Sequence, residues 1–379
     1  MAVRLMIGAA LVTSFVVATS PTAGAAAAKT KAKSATKACT FDQANLTMTL
    51  VADCATSTAI AVPDGWTLDG RQHTITAVDP RGGRFTGAVI TSAGTTAHVE
   101  NVTVVGAIAP RTGADCKTGD EAFRGIYFPN TAGSIQNTRV LNINEGKGST
   151  CAEGDGIVVM RAPLDGSHVS PRAATLVGNR IQGAQNDGIF VWGDLSATID
   201  KNVVEMHAAS SPAPDGHDGI RVRQIAAGSS IADNDVVAAS RKATIGSGIV
   251  ADDTLDLVVQ DNTVTKSDFG VVLQSLCTAV YADENRLIDN HVTDARDTGV
   301  LVLAKVISTT TCNPQVRRTF VSGNVIDGAK VGIGLVAQPG GAFSAVVDAT
   351  NVSGNHITRA TTPFVDGGIN TVSTDNATQ

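Results

Sequence analysis

The sequence is poor in aromatic residues and, after its N-terminus, lacks long apolar runs. Its 379 residues include only 10 Phe, 2 Trp and 2 Tyr. The absence of an apolar run of about 18 residues beyond the N-terminus excludes a bundle of transmembrane helices. The 38 glycines show no three-residue period, which excludes collagen. Hydrophobic residues at 43% and charged residues at 17% indicate a folded chain rather than a disordered one.

Positive charge is scarce beyond the first residues. Residues 1–37 hold five basic residues and no acidic one, so the remainder holds 24 basic and 35 acidic residues. That remainder therefore carries a net charge of −11. A surface of this sign repels phosphate backbones, so we exclude nucleic acid as a partner.

The N-terminus has the pattern of a secretory signal. Arg4 precedes the apolar stretch 5–18, and Ala23-Gly24-Ala25 fits an A-x-A cleavage site. The stretch is too short to span a bilayer, which takes about 20 apolar residues. We predict a signal peptide over residues 1–25, a flexible linker over 26–37, and a secreted, extracellular protein with no membrane span after cleavage.

Cysteine usage agrees with export. The sequence has 6 Cys, an even number, as is typical of disulfide frameworks in oxidising compartments. The count alone leaves many connectivities open. The repeat register described next favours three pairs: Cys39–Cys54, Cys116–Cys151 and Cys277–Cys312.

Two short phrases alternate along the chain. The first is an apolar-x-x-Asn-x-apolar phrase, at Asn101, Asn137, Asn179, Asn202, Asn234, Asn262, Asn290, Asn324 and Asn355. The second is a Gly-(Ile/Val)-x-apolar phrase, beginning at Gly125, Gly156, Gly188, Gly219, Gly248, Gly270, Gly299, Gly332 and Gly368. Successive glycine phrases lie 22 (Gly248 to Gly270) to 36 (Gly332 to Gly368) residues apart. Apolar residues within each phrase recur every second residue, which indicates short strands.

A unit this small cannot bury its own apolar face, so it must stack on its neighbours. The repeats resemble the right-handed parallel β-helix repeat family, the pectate-lyase-like superfamily, in its secreted bacterial type. The resemblance implies an all-β, single-stranded right-handed parallel β-helix of about nine to eleven coils. We assign it to residues 38–372, with a disordered polar tail over 373–379. The alternative is a β-sandwich with coincidental spacing. In the β-helix, the recurring Asn would stack on itself and satisfy turn backbone groups.

The residue before each glycine phrase forms a column in such a coil: Arg124, Asp155, Asp187, Asp218, Ser247, Phe269, Thr298, Val331 and Gly367. Stacked strands lie about 4.8 Å apart. Carboxylates at that spacing raise one another's pKa, so one can stay protonated beside an ionised one, as hydrolases require. The Asp187 and Asp218 oxygens would also suit Ca²⁺. Alternatively, the column is ordinary Asp-Gly turn chemistry.

Outward positions on the following strand carry aromatic and cationic side chains. Period two, with Ile157, Ile189 and Ile220 inward, turns a second set of side chains to the outer face. That set includes Tyr127, Phe190, Trp192, Arg221, Arg223 and Asp252. Aromatic faces beside Arg suit a sugar ring with a carboxylate or sulfate. Alternatively, a loop covers this strand, with Trp192 as its anchor.

Asp215-Gly216-His217-Asp218 lies in a long insertion before Gly219. It is similar to the Asp-Pro-His-Asp motif of alginate C5-epimerases, with Gly216 in place of Pro. That resemblance implies that His217 moves a sugar C5 proton and that Arg221 or Arg223 neutralises the uronate. The Gly-Asp-Gly-Ile turns also resemble polygalacturonase-type hydrolases, but the N-T-D, G-H-G and R-I-K series of that family is not present in order.

We therefore predict a secreted, polysaccharide-active β-helix enzyme for an acidic glycan, with lyase, hydrolase and C5-epimerase activities left open. The predicted catalytic residues are Asp155, Asp187, His217, Asp218 and Arg223. The predicted substrate-binding residues are Tyr127, Phe190, Trp192 and Arg221. No metal or cofactor is assigned, with calcium at Asp187 and Asp218 left open. The predicted partner is a polysaccharide or cell-wall glycan, and the protein is predicted to be a monomer. A non-catalytic glycan- or wall-binding β-helix and a ligand-free scaffold are the alternatives.

Overall fold

The computed structural model describes residues 38–146, 149, 151, 153–161, 172–206, 217–238, 246–276, 282–307 and 312–379. The predicted signal peptide and linker lie outside this part. Its only helical segments are two 3-10 turns, Gly113–Asp115 and Gly119–Glu121. No helix in the described part of the chain has the length and hydrophobicity needed to cross a bilayer.

Short strands repeat in a fixed order and stack into three long ladders, which we call sheets 1, 2 and 3 in the order in which each coil visits them. Within the described ranges, sheet 1 has 13 strands. They are Phe41–Ala44, Thr47–Leu50, Trp66–Asp69, Thr96–Glu100, Ala132–Gln136, Arg172–Val177, Leu195–Asp200, Ser230–Ala232, Val258–Gln260, Arg286–Ile288, Phe320–Ser322, Asn351–Ser353 and Val372–Thr374.

Sheets 2 and 3 share two long strands, Val325–Gln338 and His356–Asp366, which bend around the corner between the sheets. The other strands of sheet 2 are Cys54–Thr56, Thr74–Ala77, Thr103–Gly106, Arg139–Leu141, Arg180–Gln182, Val203–Met206, Asp235–Ala238, Thr263–Thr265, His291–Thr293 and Ala377–Thr378. The other strands of sheet 3 are Ile60–Val62, Ala88–Ser92, Arg124–Pro129, Asp155–Arg161, Ile189–Gly193, Ile220–Arg223, Ser247–Asp252, Phe269–Ser275 and Thr298–Lys305. A small sheet joins Ala282–Asp283, Gln315–Arg317 and Val346–Asp348.

The strands pair in parallel with the equivalent strand of the next coil, which confirms the predicted parallel β-helix. Among the strands of the described residues, only the first pair, Phe41–Ala44 with Thr47–Leu50, is antiparallel. Inward side chains stack in columns, for example Ile157, Ile189 and Ile220 in sheet 3. Each of these three is fully buried. Because burial of one such side chain contributes about 1.5–3 kcal/mol, the columns form a continuous stabilising core.

The glycine phrases mark the start of sheet 3, where successive coils approach closely. A Cβ built on Gly188 would lie only 2.5 Å from the carbonyl oxygen of Gly219 in the next coil. Any side chain here would therefore push the coils apart. The prediction is wrong for the last glycine phrase, at Gly368. Val331 pairs with Thr362, so the last member of the column before the phrases is Thr362 and not Gly367. His356–Asp366 keeps the spacing of Val325–Gln338, so Pro363 rather than Gly368 lies opposite Gly332.

An asparagine ladder runs along the corner between sheets 1 and 2. Asn262 is representative: its Nδ2 donates to the Asn290 Oδ1 at 2.9 Å and to the Ile231 carbonyl at 2.9 Å. Its Oδ1 accepts the backbone N–H of Asn234 at 3.0 Å. Ladder members are Asn179, Asn202, Asn234, Asn262, Asn290, Asn324, Asn355 and Asn376. The predicted stacking of Asn is thus confirmed for the later repeats.

The ladder prediction is wrong for Asn101 and Asn137. These two asparagines lie one residue before the inward-facing position of the corner, and their φ angles are 54° and 49°. This left-handed backbone is one that Asn tolerates better than most residues. The inward position in the same coil is filled by Thr138, whose N–H donates to the Asn179 Oδ1 at 3.1 Å. A phrase read only as apolar-x-x-Asn cannot distinguish the two places.

The chain ends differ from one another. The antiparallel hairpin Phe41–Leu50 extends sheet 1 at the N-terminal end, and the Cys39–Cys54 disulfide fixes it, as predicted. The tail predicted to be disordered, residues 373–379, instead continues the coil. Its strands Val372–Thr374 and Ala377–Thr378 pair with the previous coil, and Asn376 extends the ladder. A polar composition was therefore a poor guide, because backbone pairing and the Asn amide hold this segment.

The second predicted disulfide is confirmed, and the third lies partly outside the described residues. Cys116 and Cys151 are joined, with their Cα atoms 5.2 Å apart. Cys277 is not among the described residues, although Cys312 is disulfide-bonded. The Cys116–Cys151 bond links the excursion before sheet 3 to the following coil, beside the column of aspartates.

Candidate active site

Three consecutive aspartates stack at the corner where sheet 2 leads into sheet 3, which we call the acidic corner. Each carboxylate accepts a backbone N–H from the next coil. Asp155 Oδ1 accepts from Asp187 at 3.2 Å, Asp187 Oδ1 from Asp218 at 3.3 Å, and Asp218 Oδ1 from Ser247 at 2.8 Å. All three aspartates are buried. The coil therefore brings together residues about 31 positions apart in sequence.

The first aspartate is held by its neighbours. Arg124 Nε lies 3.2 Å from the Asp155 Oδ2, and Asn186 Nδ2 donates to the Asp155 Oδ1 at 2.8 Å. With the N–H of Asp187, these donors engage both oxygens. Asp155 therefore anchors the column, and its oxygens are less available to a ligand than those of the two later aspartates.

The second and third aspartates have raised pKa values. Burial raises the pKa of Asp187 well above its usual range, and the carboxylates of Asp218 and Asp155 add to the effect. Asp187 has no ion-pair partner within the described part of the chain. Burial also raises the pKa of Asp218, to about 6, although Arg221 and the N–H of Ser247 oppose this. Burial therefore favours the protonated form of both carboxyls, and the neighbouring carboxylates add to this effect at Asp187.

Arg221 bridges the acidic corner to a fourth carboxylate. Its Nε and Nη2 donate to the Asp252 Oδ2 at 2.9 and 2.7 Å, and its Nη1 lies 3.8 Å from the Asp218 Oδ2. Burial lowers the pKa of Arg221, but Asp252, Asp187 and Asp218 outweigh it and raise that pKa. Asp252 is fully buried, and Gln274 also donates to it at 2.5 Å. Arg221 thus stays cationic while a fifth of its side chain reaches solvent.

Asp252 was not among the predicted site residues, although period two placed it on the outer face. In the strand register it lies opposite Arg223, not Arg221. The guanidinium of Arg221 reaches it diagonally, across one coil. Period two could therefore identify the face but not the partner, because a long side chain selects among several neighbours.

The predicted aromatic residues lie in one region of sheet 3 but differ in exposure. The Arg221 guanidinium lies 5.8 Å from the ring centroid of Phe190, a cation–π distance. Phe190 packs on a buried cluster that contains Tyr127 and Val158. Tyr127 is only 7% exposed, and its hydroxyl donates to the Asp120 Oδ1 at 2.9 Å. Burial and that bond raise the pKa of Tyr127 to about 12.

The covering of Tyr127 departs from its expected role as an open sugar platform. Asp120, in the 3-10 turn Gly119–Glu121, accepts the hydrogen bond of the hydroxyl, and the Arg124 guanidinium lies over the ring, 4.4 Å from its centroid. A sequence pattern places a side chain on a face, but it does not reveal which loop returns over that face. Phe190 and Trp192 remain partly exposed.

Trp192 and Arg223 lie side by side on adjacent strands of sheet 3. The indole N–H of Trp192 donates to the Gln224 Oε1 at 3.0 Å, which fixes the ring orientation. The Nε of Arg223 is buried and has no hydrogen-bond partner among the described residues. A buried donor left unpaired costs about 1–3 kcal/mol, so this atom favours an incoming acceptor.

His217 is buried beside the acidic corner, directly before Asp218. Its carbonyl accepts the N–H of Gly246 at 2.8 Å, which fixes the backbone at this point. The first half of the predicted motif, Asp215 and Gly216, lies outside the described residues. The fold thus places His217 at the corner, and its catalytic role stays a prediction.

The corner does not fit a calcium ion. A hard cation needs several ionised or neutral oxygen ligands that are free to coordinate it. Here Asp187 favours its protonated form, the Asp218 Oδ1 is engaged by Ser247, and the Arg221 cation already faces these carboxylates. We derive no chemistry through a metal at this site.

A second buried acidic group lies nearby and was not predicted. Glu145 and Arg111 are both fully buried, with Arg111 Nη1 3.4 Å from the Glu145 Oε1. Burial raises the pKa of Glu145 to about 7. A Glu145 oxygen and the Cys116 and Cys151 sulfurs lie within 4.8 Å of one another, but the disulfide removes both thiolates as metal ligands. The pair therefore anchors the excursion that covers Tyr127.

Stacked parallel sheets with an asparagine ladder define a β-helix protein whose sheet 3 carries an ionisable corner. The chain belongs to the right-handed β-helix family: the family described as "right handed beta helix region" matches residues 68–378. No curated protein sequence matches the chain.

Two solved structures with the same fold are informative for architecture. The periplasmic alginate epimerase AlgG has 13% sequence identity and a TM-score of 0.52, with 88% of this chain and 85% of that chain covered. A hyperthermoactive exopolygalacturonase from Thermotoga maritima has 12% identity and a TM-score of 0.51, with 86% and 84% covered. At these identities the likeness extends to the fold alone.

Proposed function

We propose that this chain is a secreted enzyme that acts on an acidic polysaccharide, and that it hydrolyses the glycosidic bond with Asp187 and Asp218. One observation carries the proposal: two buried carboxyl groups lie on adjacent coils next to the Arg221 cation, and burial raises the pKa of both. Glycoside hydrolysis needs such a pair, an acid and a base. The alginate epimerase and exopolygalacturonase with this fold support an acidic glycan as substrate.

The proposed step is balanced in protons. Asp187 donates its proton to the glycosidic oxygen as the bond from that oxygen to the anomeric carbon breaks. The Asp218 carboxylate takes a proton from the attacking water, whose oxygen bonds to that carbon. Solvent exchange then restores the original protonation. Arg221 stays cationic beside the pair and, with Arg223, would bind the sugar carboxylate, while Phe190 and Trp192 would contact the ring.

The asparagine ladder supports a functional reading of the acidic corner. Asn performs the same backbone-capping role at the corner between sheets 1 and 2, with no charge to bury. Ionised Asp at the equivalent place costs stability, because burial disfavours the charged form. A purely structural column would gain from Asn, so retention of Asp187 and Asp218 favours chemistry at this corner.

Lyase and C5-epimerase activity are the competing enzyme classes, for which His217 would act as base. A single assay separates the three. The purified protein is incubated with polygalacturonate, alginate and sulfated glycans in D₂O. New reducing ends without ultraviolet absorbance from an unsaturated product would support hydrolysis. Absorbing products would indicate a lyase, and deuterium at C5 without cleavage would indicate an epimerase; either outcome contradicts the proposed hydrolysis.

A non-catalytic glycan-binding protein is the second candidate. The observation that favours it is that every corner carboxylate already accepts a backbone N–H, as a structural ladder would. It predicts saturable binding without product and no effect of Asp218→Asn. Secretion is part of the proposal as well, since the Cys39–Cys54 and Cys116–Cys151 disulfides are typical of oxidising compartments.

A further inference from the structure

A second groove lies on the same corner, along later coils. It has a volume of about 530 Å³ and is formed where sheet 2 turns into sheet 3. Four cationic side chains line it, Lys266, Arg296, Lys330 and Arg359, against two acidic ones, Asp268 and Asp294. We call it the basic groove. Its lining has a net charge of +2, whereas residues 38–379 together carry −11.

The acidic groups of the basic groove are already paired with its arginines. Arg296 forms an ion pair with Asp268. Arg359 pairs with Asp327 at 2.6 Å and with Asp294 at 3.4 Å. These contacts fix both guanidinium groups. Because Asp327 lies beside the lining, three carboxylates face two guanidinium groups, and with both lysines the local net charge is +1. The surplus positive charge is therefore carried by the lysines.

Both lysines of the groove are available to a ligand. Lys266 and Lys330 are exposed, and the ammonium group of neither has a hydrogen-bond or ion-pair partner among the described residues. A flexible ammonium is a strongly hydrated point charge that can follow an anionic group. Two such groups on one groove indicate recognition of more than one negative charge.

A buried hydroxyl adds a second, independent observation. Ser267 lines the groove at 4% exposure, and its Oγ has no partner among the described residues. Buried polar atoms are almost always hydrogen-bonded, so this hydroxyl favours a ligand that can pair with it. A sugar hydroxyl or a carboxylate oxygen supplies the needed group.

The shape of the groove depends on a glycine. Gly328 has φ +83°, and a Cβ there would lie 3.1 Å from the Asp294 Oδ1 and 3.2 Å from the Arg359 Nη2. Glycine thus lets the Arg359 side chain lie close to the backbone. A larger residue at this place would therefore disturb the pairing of Arg359 with Asp294.

The basic groove continues the line of the acidic corner. Ser247, whose N–H bonds Asp218, pairs in register with Phe269, and Lys266 to Asp268 directly precede Phe269. The groove therefore begins two coils beyond Asp218, about 10 Å away at the usual strand spacing of about 4.8 Å. A polymer that lies along the corner reaches both places, whereas a small anion occupies only one.

We propose that the basic groove binds an anionic polysaccharide chain, with Lys266 and Lys330 contacting its carboxylates or sulfates and Ser267 bonding a sugar oxygen. The polysaccharide nature of the anion rests on the proposed function. The attraction of the groove for anions rests on its own charges alone. The groove serves as a remote binding subsite that keeps the polymer on the protein.

The test compares two double charge reversals in an otherwise intact chain. Lys266→Glu/Lys330→Glu changes the groove, and Arg71→Glu/Arg81→Glu makes the same change in net charge at exposed N-terminal positions. Binding of polygalacturonate, a sulfated glycan, neutral dextran and inorganic phosphate is measured by calorimetry at two salt concentrations. Binding is measured in the Asp218→Asn background, so that turnover does not intervene. Circular dichroism verifies folding of each variant.

The proposal predicts that the groove variant binds the anionic polymers at least about tenfold more weakly, while the control variant binds them as before. The binding that remains should lose part of its salt dependence. Equal loss in both double variants would overturn the proposal, as would equal affinity for dextran. Preference for phosphate over the polymers would also contradict it.

The same experiment separates failure of this proposal from failure of the proposed function. A wild-type protein that cleaves acidic glycans but keeps its affinity after Lys266→Glu/Lys330→Glu contradicts the groove alone. A protein that converts no glycan but loses anionic-polymer affinity in that variant supports the groove and contradicts the enzyme.

Discussion

The Asp187 carboxylate accepts the backbone N–H of Asp218 at 3.3 Å, so one side chain both joins two coils and takes part in the proposed chemistry. The two roles use different properties. Joining the coils requires only an acceptor oxygen, whereas acid–base chemistry requires a group that titrates. Substitutions that keep the acceptor and remove the titration therefore separate structure from function.

Asp187→Asn and Asp218→Asn are the first prediction. Because Asn keeps an acceptor oxygen for the next coil, both variants should fold with wild-type stability or slightly above it. Glycan turnover should fall by about 10²–10⁴-fold, the usual contribution of general acid–base catalysis. Activity on polygalacturonate and alginate, with thermal denaturation, provides the measurement. Turnover within a few-fold of wild type in Asp218→Asn would refute the catalytic assignment.

Asp155→Asn is the matched control. Asp155 lies in the same column, but it pairs with Arg124 at 3.2 Å and accepts a hydrogen bond from the Asn186 Nδ2 at 2.8 Å. Removal of its charge leaves Arg124 without its partner in a buried place. We expect a loss of stability by about 1–3 kcal/mol with kcat less affected than in Asp187→Asn. The reverse order of effects on kcat would exchange the roles of the two aspartates.

The pH dependence of stability follows from the pKa of Asp218. That pKa is raised to about 6 in the folded protein, above the value near 3.9 expected in the unfolded chain. Between these values the folded state holds a proton that the unfolded state releases. Stability should therefore rise as the pH falls from about 6 to about 4, and Asp218→Asn should flatten that rise. Urea denaturation across this range measures it.

The pH dependence of activity should run opposite to that of stability on the acid side. The proposed step needs Asp218 ionised and Asp187 protonated, so kcat/KM should fall as the pH drops through about 6. The alkaline limb should report Asp187, whose pKa is raised well above its usual range by burial and the neighbouring carboxylates. A flat profile between pH 5 and 7 would contradict the assignment of Asp218 as base.

Arg221 and Arg223 should differ in what their removal costs. Arg221→Met leaves the buried Asp252 without its main cation, so we expect a loss of about 3 kcal/mol in unfolding free energy. Arg223→Met breaks no ion pair among the described residues, so stability should change little. Its KM for an acidic glycan should rise, because the variant lacks the guanidinium whose unpaired Nε would donate to the glycan carboxylate. Chemical denaturation and steady-state kinetics on both variants check the contrast.

The fold was predictable from the sequence because stacking imposes a repeating demand on each coil. Every coil needs an inward apolar column, exemplified by Ile157, Ile189 and Ile220, and a glycine where coils approach closely. Those demands recur at each turn, so their signal accumulates along the chain. The column of Asp155, Asp187 and Asp218 followed from the same register.

The features that the sequence could not predict are contacts made by a long side chain, by a loop and by the last coil. Arg221 reaches Asp252 diagonally, although Arg223 is the residue that lies opposite Asp252 in the strand register. Nothing in the sequence spacing shows which of the two arginines pairs with Asp252. Tyr127 faces outward as expected, yet a loop that contains Asp120 returns over it. The segment 373–379 is polar in sequence, yet backbone pairing with the previous coil and the Asn376 amide order it. Local patterns carry no information on such contacts.

Trp192 distinguishes an enzyme from a binding protein. Trp192→Ala removes the ring beside Arg223 and should weaken glycan affinity by about tenfold, while Trp192→Phe should keep most of it. In an enzyme this appears mainly in KM, since Trp192 does not exchange protons. If glycan binding depends on Trp192 but no variant of Asp187 or Asp218 alters any product, the binding-only function is the correct one.

The asparagine ladder should set the stability of the coil. Asn262→Ala removes amide bonds to Asn290, at 2.9 Å, and to the Ile231 carbonyl, and leaves the N–H of Asn234 unsatisfied. Because these groups are buried, we expect the free energy of unfolding to fall by about 2–4 kcal/mol.

Thr263→Ala is the control. Thr263 is an exposed neighbour on sheet 2, so its substitution should lower the free energy of unfolding by less than about 1 kcal/mol. Coils couple to their neighbours, so hydrogen exchange is the sharper measurement: protection should fall first in the coils flanking Asn262. Equal destabilisation by both variants would mean that strand pairing, not the ladder, holds this corner.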